Sequence, residues 1–183
     1  METNKVLVVV DMQNDFIEGS LATKEAQAIV PNVVNKINEY KKNEWQVYAT
    51  QDTHYEDYLE TSEGKKLSVP HCIKDTWGWE INSAVKEALG DSEIKEKSKF
   101  GASYISYEIE IDNILDSDKV LEVEYVGLYT DTSVISNVLL HKTATQENSD
   151  TIVKVDSSCC AGTTLEKHNA ALEVMKSCQV DVY

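Results

Sequence analysis

A run of β-branched residues near the N-terminus narrows the choice of fold more than any other segment of the chain. Residues 5–10 read KVLVVV, and the run ends at Asp11. A continuous apolar run of this kind, with no polar residue at alternate positions, predicts a strand that is buried on both faces. Such a strand is typical of a parallel sheet with helices packed on either side.

Segments that favour strands and helices alternate along the rest of the chain. Strands are predicted at residues 45–50, 94–97, 119–127, 151–156 and 179–183, and helices at residues 31–40, 79–89, 107–115, 130–143 and 163–177. Pro31 is expected to open the first of these helices, because proline is favoured in a first helical turn. The alternation predicts one α/β domain, residues 1–183, with a mainly parallel central sheet between two helical layers in a three-layer α/β/α arrangement.

The charge of the chain restricts its partners. The chain carries 17 Lys and Arg against 32 Asp and Glu, a formal net charge of −15 at pH 7, and every one of the 17 basic residues is Lys. A chain of this charge repels phosphate backbones and anionic membranes, so neither a nucleic acid nor a membrane is an expected partner. A small neutral or cationic molecule is a more favourable partner for a chain of this charge.

The sequence also bears on the compartment in which the protein is expected. No apolar run approaches the roughly 18 residues of a membrane-spanning helix, and the N-terminus lacks a basic stretch followed by a long apolar one. The four cysteines form no C-x-x-C motif and are expected to be reduced thiols. These features predict a cytoplasmic protein.

Reactive side chains follow three of the predicted strands, where ligands bind in parallel sheets. The Asp11 carboxylate is placed for acid–base chemistry, and the Lys97 ammonium is placed to stabilise an anion. Ser133 falls in the first turn of a predicted helix, where a hydroxyl is a candidate nucleophile and free backbone N–H groups are a candidate oxyanion hole. Each residue also has an ordinary interpretation, as a helix cap, a surface lysine and a helix-start residue respectively.

Asp52, His54 and His71 form a candidate metal site. Asp52 and His54 are two residues apart in an extended segment and point the same way, and His71 follows in a long polar loop, residues 53–78. One carboxylate and two imidazoles suit a divalent metal, with Zn²⁺ the expected ion and Fe²⁺ or Mn²⁺ as alternatives. A surface aspartate with two solvated histidines is the competing interpretation.

Six segments taken together resemble the isochorismatase-like cysteine hydrolases, and within them the nicotinamidase branch. They read DMQNDF at residues 11–16, TQDTH at 50–54, VPHCIK at 69–74, KSKFG at 97–101, GLYTDTSVISN at 127–137 and DSSCCAG at 156–162. Each segment is moderately specific, and their joint order is highly specific. The resemblance implies an isochorismatase-like, Rossmann-like three-layer fold. It also implies an enzyme that is often a dimer or tetramer and that hydrolyses nicotinamide to nicotinate and ammonia.

The resemblance also implies roles for individual residues. A cysteine nucleophile in this family works beside an aspartate and a lysine, which match Asp11 and Lys97. The metal in this branch mostly holds the pyridine nitrogen of the substrate and does not supply the attacking water. The residues that match the metal ligands are Asp52, His54 and His71, with Glu63 as a loose extra.

The ring pocket and the oxyanion hole are implied in the same way. Phe16 would be a wall of the pocket that holds the substrate ring. A cis peptide would precede Tyr129, and the N–H groups of Tyr129 and of the nucleophile residue would form the oxyanion hole.

The chain departs from the family at the nucleophile. The family pattern is T-D-x-C-V, whereas residues 130–134 read TDTSV, so Ser133 occupies the place of the cysteine. A thiol, with a pKa of about 8.5, is readily ionised, but a hydroxyl needs a well-placed base at the moment of attack. The expected function is a nicotinamidase-like amidohydrolase, acting on nicotinamide or a related small amide, that is impaired or altered by Ser133. The alternative is a non-catalytic relative that binds nicotinamide or a similar small amide.

Overall fold

Six parallel strands form the centre of the protein in the computed structural model, which describes residues 3–114, 119–147 and 150–183. The strands are β1 (Thr3–Val10), β2 (Gln46–Asp52), β3 (Glu93–Lys97), β4 (Val120–Leu128), β5 (Thr151–Ala161) and β6 (Asp181–Val182). They lie in the order β3-β2-β1-β4-β5-β6, and every neighbouring pair is parallel. The order reverses between β1 and β4, which places their carboxyl ends side by side at the position where such sheets bind ligands. The predicted α/β fold with a parallel central sheet is confirmed.

Helices cover both faces of this sheet. They are α1 (Asn14–Ile17), α2 (Lys24–Lys42), α3 (Ser83–Leu89), α4 (Ser103–Ile114), α5 (Ile135–Ala144) and α6 (Leu165–Ser177), with a 3₁₀ turn at Tyr58–Glu60 and a π-type turn at Thr130–Val134. Leu7 and Val9 of β1 pack in one core cluster with α2 and α3, whereas Val6, Val8 and Val10 pack in a second cluster with α4, α5 and α6. Residues 6–10 of β1 are buried on both faces and are all apolar, whereas the polar residues Thr3, Asn4 and Lys5 at its start are only half-buried. None of the helices in the described ranges is long and apolar enough to cross a membrane.

The start of α2 shows that the prediction for Pro31 is wrong. The helix begins at Lys24, well before the proline, because the Thr23 side chain accepts a hydrogen bond from Ala26 N and caps the first turn. Pro31 lies inside the helix at an exposed position. Exposure lets water replace the hydrogen bond that proline cannot donate, so the helix continues through it.

Other predicted elements are present with shifted boundaries. The predicted helix at 79–89 begins only at Ser83, because the Asn82 side chain accepts a hydrogen bond from Ala84 N at 3.2 Å and caps the helix there. The predicted strand at 151–156 continues to the end of β5. The helix predicted at 107–115 begins earlier, at the start of α4, and residue 115 lies outside the described residues.

Gly127 occupies the point at which β4 passes closest to β1. Its φ is +119°, a conformation that residues with a Cβ rarely adopt, and a Cβ there would lie 2.1 Å from Val10 O. We predict that Gly127→Ala lowers the free energy of unfolding by about 3 kcal/mol or more, because backbone strain and overpacking both contribute. Urea denaturation followed by circular dichroism measures this loss.

Gly101→Ala is the matched control for this prediction. Gly101 is not among the glycines with positive φ, and the atom nearest to its added Cβ, at 2.5 Å, is the end of the flexible Leu140 side chain. We expect a loss of about 1 kcal/mol or less for this variant, since the leucine can move aside. Equal losses in the two variants would contradict the role assigned to Gly127.

Candidate active site

Three side chains from distant parts of the chain meet at the carboxyl edge of the sheet. Asp11 directly follows β1, Lys97 ends β3, and Ser133 lies in the π-type turn after β4. The Lys97 ammonium lies 2.6 Å from Asp11 Oδ2 and 3.4 Å from Ser133 Oγ. The structure thus brings together the three residues that the sequence singles out as catalytic candidates, while their catalytic roles stay a prediction.

The Asp11 carboxylate is buried and only partly hydrogen-bonded. Its Oδ1 accepts a hydrogen bond of 2.5 Å from Thr50 Oγ1. Its Oδ2 forms the ion pair with Lys97 and accepts no well-directed hydrogen bond from the described part of the chain. Burial raises the pKa of the Asp11 carboxyl above its ordinary value, although the charge of Lys97 acts in the opposite direction. A raised pKa and a free acceptor direction suit a group that takes up and returns a proton.

Thr50 holds the backbone of Asp11 as well as its side chain. The φ of Asp11 is +48°, in the left-handed region that costs a non-glycine residue on the order of 1 kcal/mol. Asp11 N lies 3.3 Å from Thr50 O and 3.1 Å from Thr50 Oγ1, and it donates to these atoms of the neighbouring strand. No local pattern singles out Thr50, since a threonine inside a predicted strand is ordinary.

Lys97 is a buried cation surrounded by oxygen atoms. Besides Asp11 and Ser133, its ammonium lies 3.4 Å from Asp52 Oδ1 and donates to Lys99 O at 3.0 Å. Burial alone would lower the pKa of Lys97, but the charges of Asp11 and Asp52 raise it above its ordinary value. The side chain therefore carries a full positive charge at neutral pH.

The turn that carries Ser133 begins at a cis peptide bond between Leu128 and Tyr129, as the family resemblance implies. Tyr129 O accepts hydrogen bonds from Thr132 N and Val134 N, at 3.0 and 3.1 Å. Within the described ranges, the hydrogen-bond partner of Ser133 Oγ is the Lys97 ammonium. An ammonium can only donate, so the serine oxygen is the acceptor and no carboxylate receives its proton in this arrangement.

Asp52, His54 and His71 lie together as a buried group. His54 Nε2 is 3.1 Å from Asp52 Oδ2, His71 Nε2 is 3.8 Å from the same oxygen, and one ligand atom from each residue lies within 4.8 Å of the others. The other ring nitrogen of His71, Nδ1, is 2.9 Å from Val69 O and donates to it, so Nε2 is the nitrogen that can bind a metal ion. A buried carboxylate and an imidazole nitrogen fit a divalent metal ion. The competing interpretation, a solvated surface group, is excluded by the burial of all three residues.

Asp52 connects the candidate metal group to the catalytic candidates. Its Oδ2 faces the two imidazoles, and its Oδ1 faces Lys97. Burial by itself would raise the pKa of Asp52, but the hydrogen bond with His54 and the charge of Lys97 outweigh it and hold the pKa below its ordinary value. Asp52 is therefore an ionised carboxylate shared by both halves of the site.

Gln13 fixes the backbone that carries Asp52. Its amide nitrogen donates to Asp52 O and to Trp79 O, both at 2.8 Å, and its amide oxygen accepts from Asp52 N at 2.7 Å. The glutamine is fully buried. Its place between Asp11 and Phe16 in the sequence is the only signal that could have pointed to it.

Glu63 and Tyr58 complete the surroundings of the two imidazoles. Glu63 Oε1 lies 3.9 Å from His54 Nε2 and 3.8 Å from His71 Nε2. The Tyr58 ring packs edge-on against both histidines, with centroid distances of 4.8 and 5.0 Å. Glu63, which the family resemblance offered only as a loose additional ligand, thus lies close enough to share an ion with the two histidines. Tyr58 lies in a polar loop, and no sequence pattern singles it out.

The Phe16 ring contacts the rings of His71 and Tyr129. The Phe16 ring is 5.6 Å from the ring of His71 and 5.4 Å from the ring of Tyr129. All three residues are buried. Phe16 thus contacts both His71 and Tyr129, and its role as a substrate wall stays a prediction.

Comparisons with known proteins agree with this fold. A family model described as the Isochorismatase domain matches residues 5–183. The chain is 27% identical over 188 aligned residues to the nicotinamidase/pyrazinamidase of Mycobacterium tuberculosis, and the alignment covers 97% of each protein.

Solved structures give the same picture of the fold. The pyrazinamidase of Pyrococcus horikoshii, solved in complex with zinc, superposes with a TM-score of 0.75 at 25% identity and covers 98% of each chain. A pyrazinamidase/nicotinamidase from Streptococcus mutans superposes with a TM-score of 0.77 at 23% identity, covering 98% of this chain and all of the other.

We predict that His54→Ala removes bound metal from the protein. Loss of a ligand should weaken metal affinity by more than about 100-fold, since a residue that only orients a ligand is already worth about 10–100-fold. Elemental analysis of protein purified without chelator measures the metal content, and competition with a chelator measures the affinity.

His168→Ala is the control for the metal prediction. His168 Nδ1 is hydrogen-bonded to Thr130 Oγ1 at 2.8 Å and does not belong to the Asp52, His54 and His71 group. This variant should keep its metal. Equal metal content in the two variants and the parent would contradict the assignment of His54 as a ligand.

Proposed function

The chain belongs to the isochorismatase family of hydrolases, and on that basis we propose that it is a nicotinamidase-like amidohydrolase whose rate is limited by Ser133. The observation that carries the proposal is the meeting of Asp11, Lys97 and Ser133 at one edge of the sheet, beside a buried metal-binding group. The proposed substrate is nicotinamide or a related small amide, and the products are the acid and ammonia. The proposal includes assembly as a dimer or tetramer and a cytoplasmic location.

In the proposed reaction, Ser133 Oγ attacks the amide carbonyl carbon. The proton of its hydroxyl passes to Asp11, whose Oδ2 has a free acceptor direction. The bond between the carbonyl carbon and the amide nitrogen breaks, and Asp11 returns the proton to the departing nitrogen, which leaves as ammonia. Water then hydrolyses the ester on Ser133, with Asp11 taking a proton from the water and returning it to the serine oxygen.

Two groups would stabilise the negative charge that develops in this reaction. The N–H groups of Tyr129 and Ser133 form the proposed oxyanion hole, since they belong to the turn that carries the nucleophile. The Lys97 ammonium, 3.4 Å from Ser133 Oγ, stabilises the nucleophile as its proton leaves.

The site suits a thiolate better than a hydroxyl. A buried cation beside the nucleophile lowers a thiol pKa toward neutrality, where a large fraction is ionised at rest. A hydroxyl stays protonated under the same influence and depends on Asp11 as a base, which is weak for this proton. Slow hydrolysis follows from the same geometry that would make a cysteine reactive.

The metal group has a defined part in the proposal. Asp52, His54 and His71 would hold the ion, with Glu63 near enough to join them, and Zn²⁺ is the proposed ion with Fe²⁺ or Mn²⁺ as alternatives. When bound, the ion supplies a Lewis-acid site for a pyridine nitrogen of the substrate. Phe16 forms the proposed wall against which the substrate ring packs.

A second candidate function is a binding protein for nicotinamide or a similar small amide. It is favoured by one observation, that Ser133 Oγ accepts from Lys97 and has no base as a hydrogen-bond partner within the described ranges. The ligand would then occupy the same pocket without turnover. Release of ammonia by the metal-loaded protein distinguishes the two functions.

We predict that Ser133→Cys raises amide hydrolysis by a factor of about 100 or more. A factor of about 100 corresponds to about 2.7 kcal/mol of barrier, which one activated nucleophile can supply. The change adds little volume, so the fold should tolerate it. The measurement is steady-state ammonia release from nicotinamide by the metal-loaded protein.

Ser133→Ala is the control for this prediction. It should bind nicotinamide as the parent does and release no ammonia above the uncatalysed rate. If Ser133→Cys binds nicotinamide but is no faster than the alanine variant, the hydrolase proposal fails and the binding function takes its place.

A further inference from the structure

The side chain of Tyr129 joins two parts of the site that come from distant segments. Its hydroxyl lies 2.9 Å from Phe16 O and 2.5 Å from Leu21 O, residues 113 and 108 positions earlier in the chain. A phenol has one hydrogen, so it donates to one of these carbonyls or shares it between both. Burial raises the pKa of Tyr129 to about 12, and the phenol therefore keeps its proton at neutral pH.

The backbone of Tyr129 is fixed in turn to the nucleophile. Tyr129 O accepts from Thr132 N and Val134 N, which lie on either side of Ser133. One residue thus holds the turn that carries Ser133 with its carbonyl and holds the segment at residues 16–21 with its hydroxyl. We call this segment the wall segment, since it contains Phe16.

Other side-chain hydrogen bonds of the wall segment join it to residues outside the turn that carries Ser133. Gln27 Nε2 donates to Ile17 O at 2.9 Å, and Ser20 Oγ donates to Pro70 O at 3.3 Å in an exposed position. Among the side-chain hydrogen bonds of the described residues, those of the Tyr129 hydroxyl are the ones that connect the wall segment to the turn around Ser133.

The ring of Tyr129 adds a packing contact to these hydrogen bonds. Its centroid lies 5.4 Å from that of the Phe16 ring with an interplanar angle of 76°, the edge-to-face arrangement that aromatic pairs favour. Phe16 in turn contacts His71, a proposed metal ligand, at 5.6 Å. The Phe16 ring is thus in contact with both Tyr129 and His71.

We propose that Tyr129 is a positioning residue that holds the wall segment, and with it Phe16, at a fixed distance from Ser133. A wall segment that is already held in place would suit a flat, small ring, because less of the chain has to be ordered on binding. The identity of that ring as nicotinamide rests on the proposed function. The positioning of the wall segment by the Tyr129 hydroxyl does not depend on that function.

Tyr129→Phe tests this inference, since it removes the hydroxyl and keeps the ring. Tyr125→Phe is the matched control: Tyr125 lies in β4, is also buried, and its hydroxyl is hydrogen-bonded to His141 Nδ1 at 2.8 Å outside the site. Both variants lose one buried tyrosine hydroxyl. Only the first loses a contact with the wall segment.

The first measurement is hydrogen–deuterium exchange of the zinc-loaded full chain, resolved to peptides within residues 14–22. We expect exchange about tenfold faster in this segment for Tyr129→Phe, the effect of losing one hydrogen bond, and unchanged exchange there for Tyr125→Phe. A general loss of stability would instead speed exchange in both variants. Equal exchange of the segment in the two variants would overturn the inference.

The second measurement is the affinity of the zinc-loaded proteins for nicotinamide by calorimetry. We expect about tenfold weaker binding for Tyr129→Phe and a change within about twofold for Tyr125→Phe, with equal zinc content. Unchanged affinity in Tyr129→Phe would overturn the inference. If the parent itself does not bind nicotinamide, the proposed function fails, and the exchange measurement alone decides the role of Tyr129.

Discussion

The buried ammonium of Lys97 is the contact on which the rest of the site depends. It lies 2.6 Å from Asp11, 3.4 Å from Asp52 and 3.4 Å from Ser133. Two carboxylates this close together would repel each other strongly in a buried site if no cation lay between them. Loss of one partner from a buried ion pair costs about 3–5 kcal/mol in general, so the lysine supports the fold as well as the chemistry.

The site consists of two halves that share one carboxylate. Asp52 turns one oxygen to Lys97 and the other to His54 and His71. A positive ion among the imidazoles would therefore change the electrostatic field at Lys97. Gln13 is hydrogen-bonded to both the carbonyl oxygen and the N–H of Asp52 and so holds this shared residue between the two halves of the site.

Much of the fold and of the candidate site could be predicted from the sequence. The unbroken apolar run before Asp11 implied a strand buried on both faces, and the spacing of Asp52 and His54 put both side chains on one side of an extended segment. The prediction for Pro31 failed because a nearby cap, Thr23, outweighs the preference of proline for a first turn. Thr50 and Gln13 were missed because they contact residues that are remote in the sequence, and Tyr58 was missed because its contacts depend on how the irregular loop folds around the two histidines.

The order of residues along the chain was sufficient to determine the alternation of strands and helices, the candidate metal ligands and the serine at position 133 in place of the cysteine of the family pattern. These features are local, since each depends on neighbours within a few residues. Only the tertiary structure decided that Ser133 accepts from Lys97, that Glu63 faces both imidazoles, and that the Tyr129 hydroxyl reaches carbonyls more than a hundred residues away. Such contacts depend on how the strands and loops pack in three dimensions, and no local pattern encodes a distance between segments that far apart.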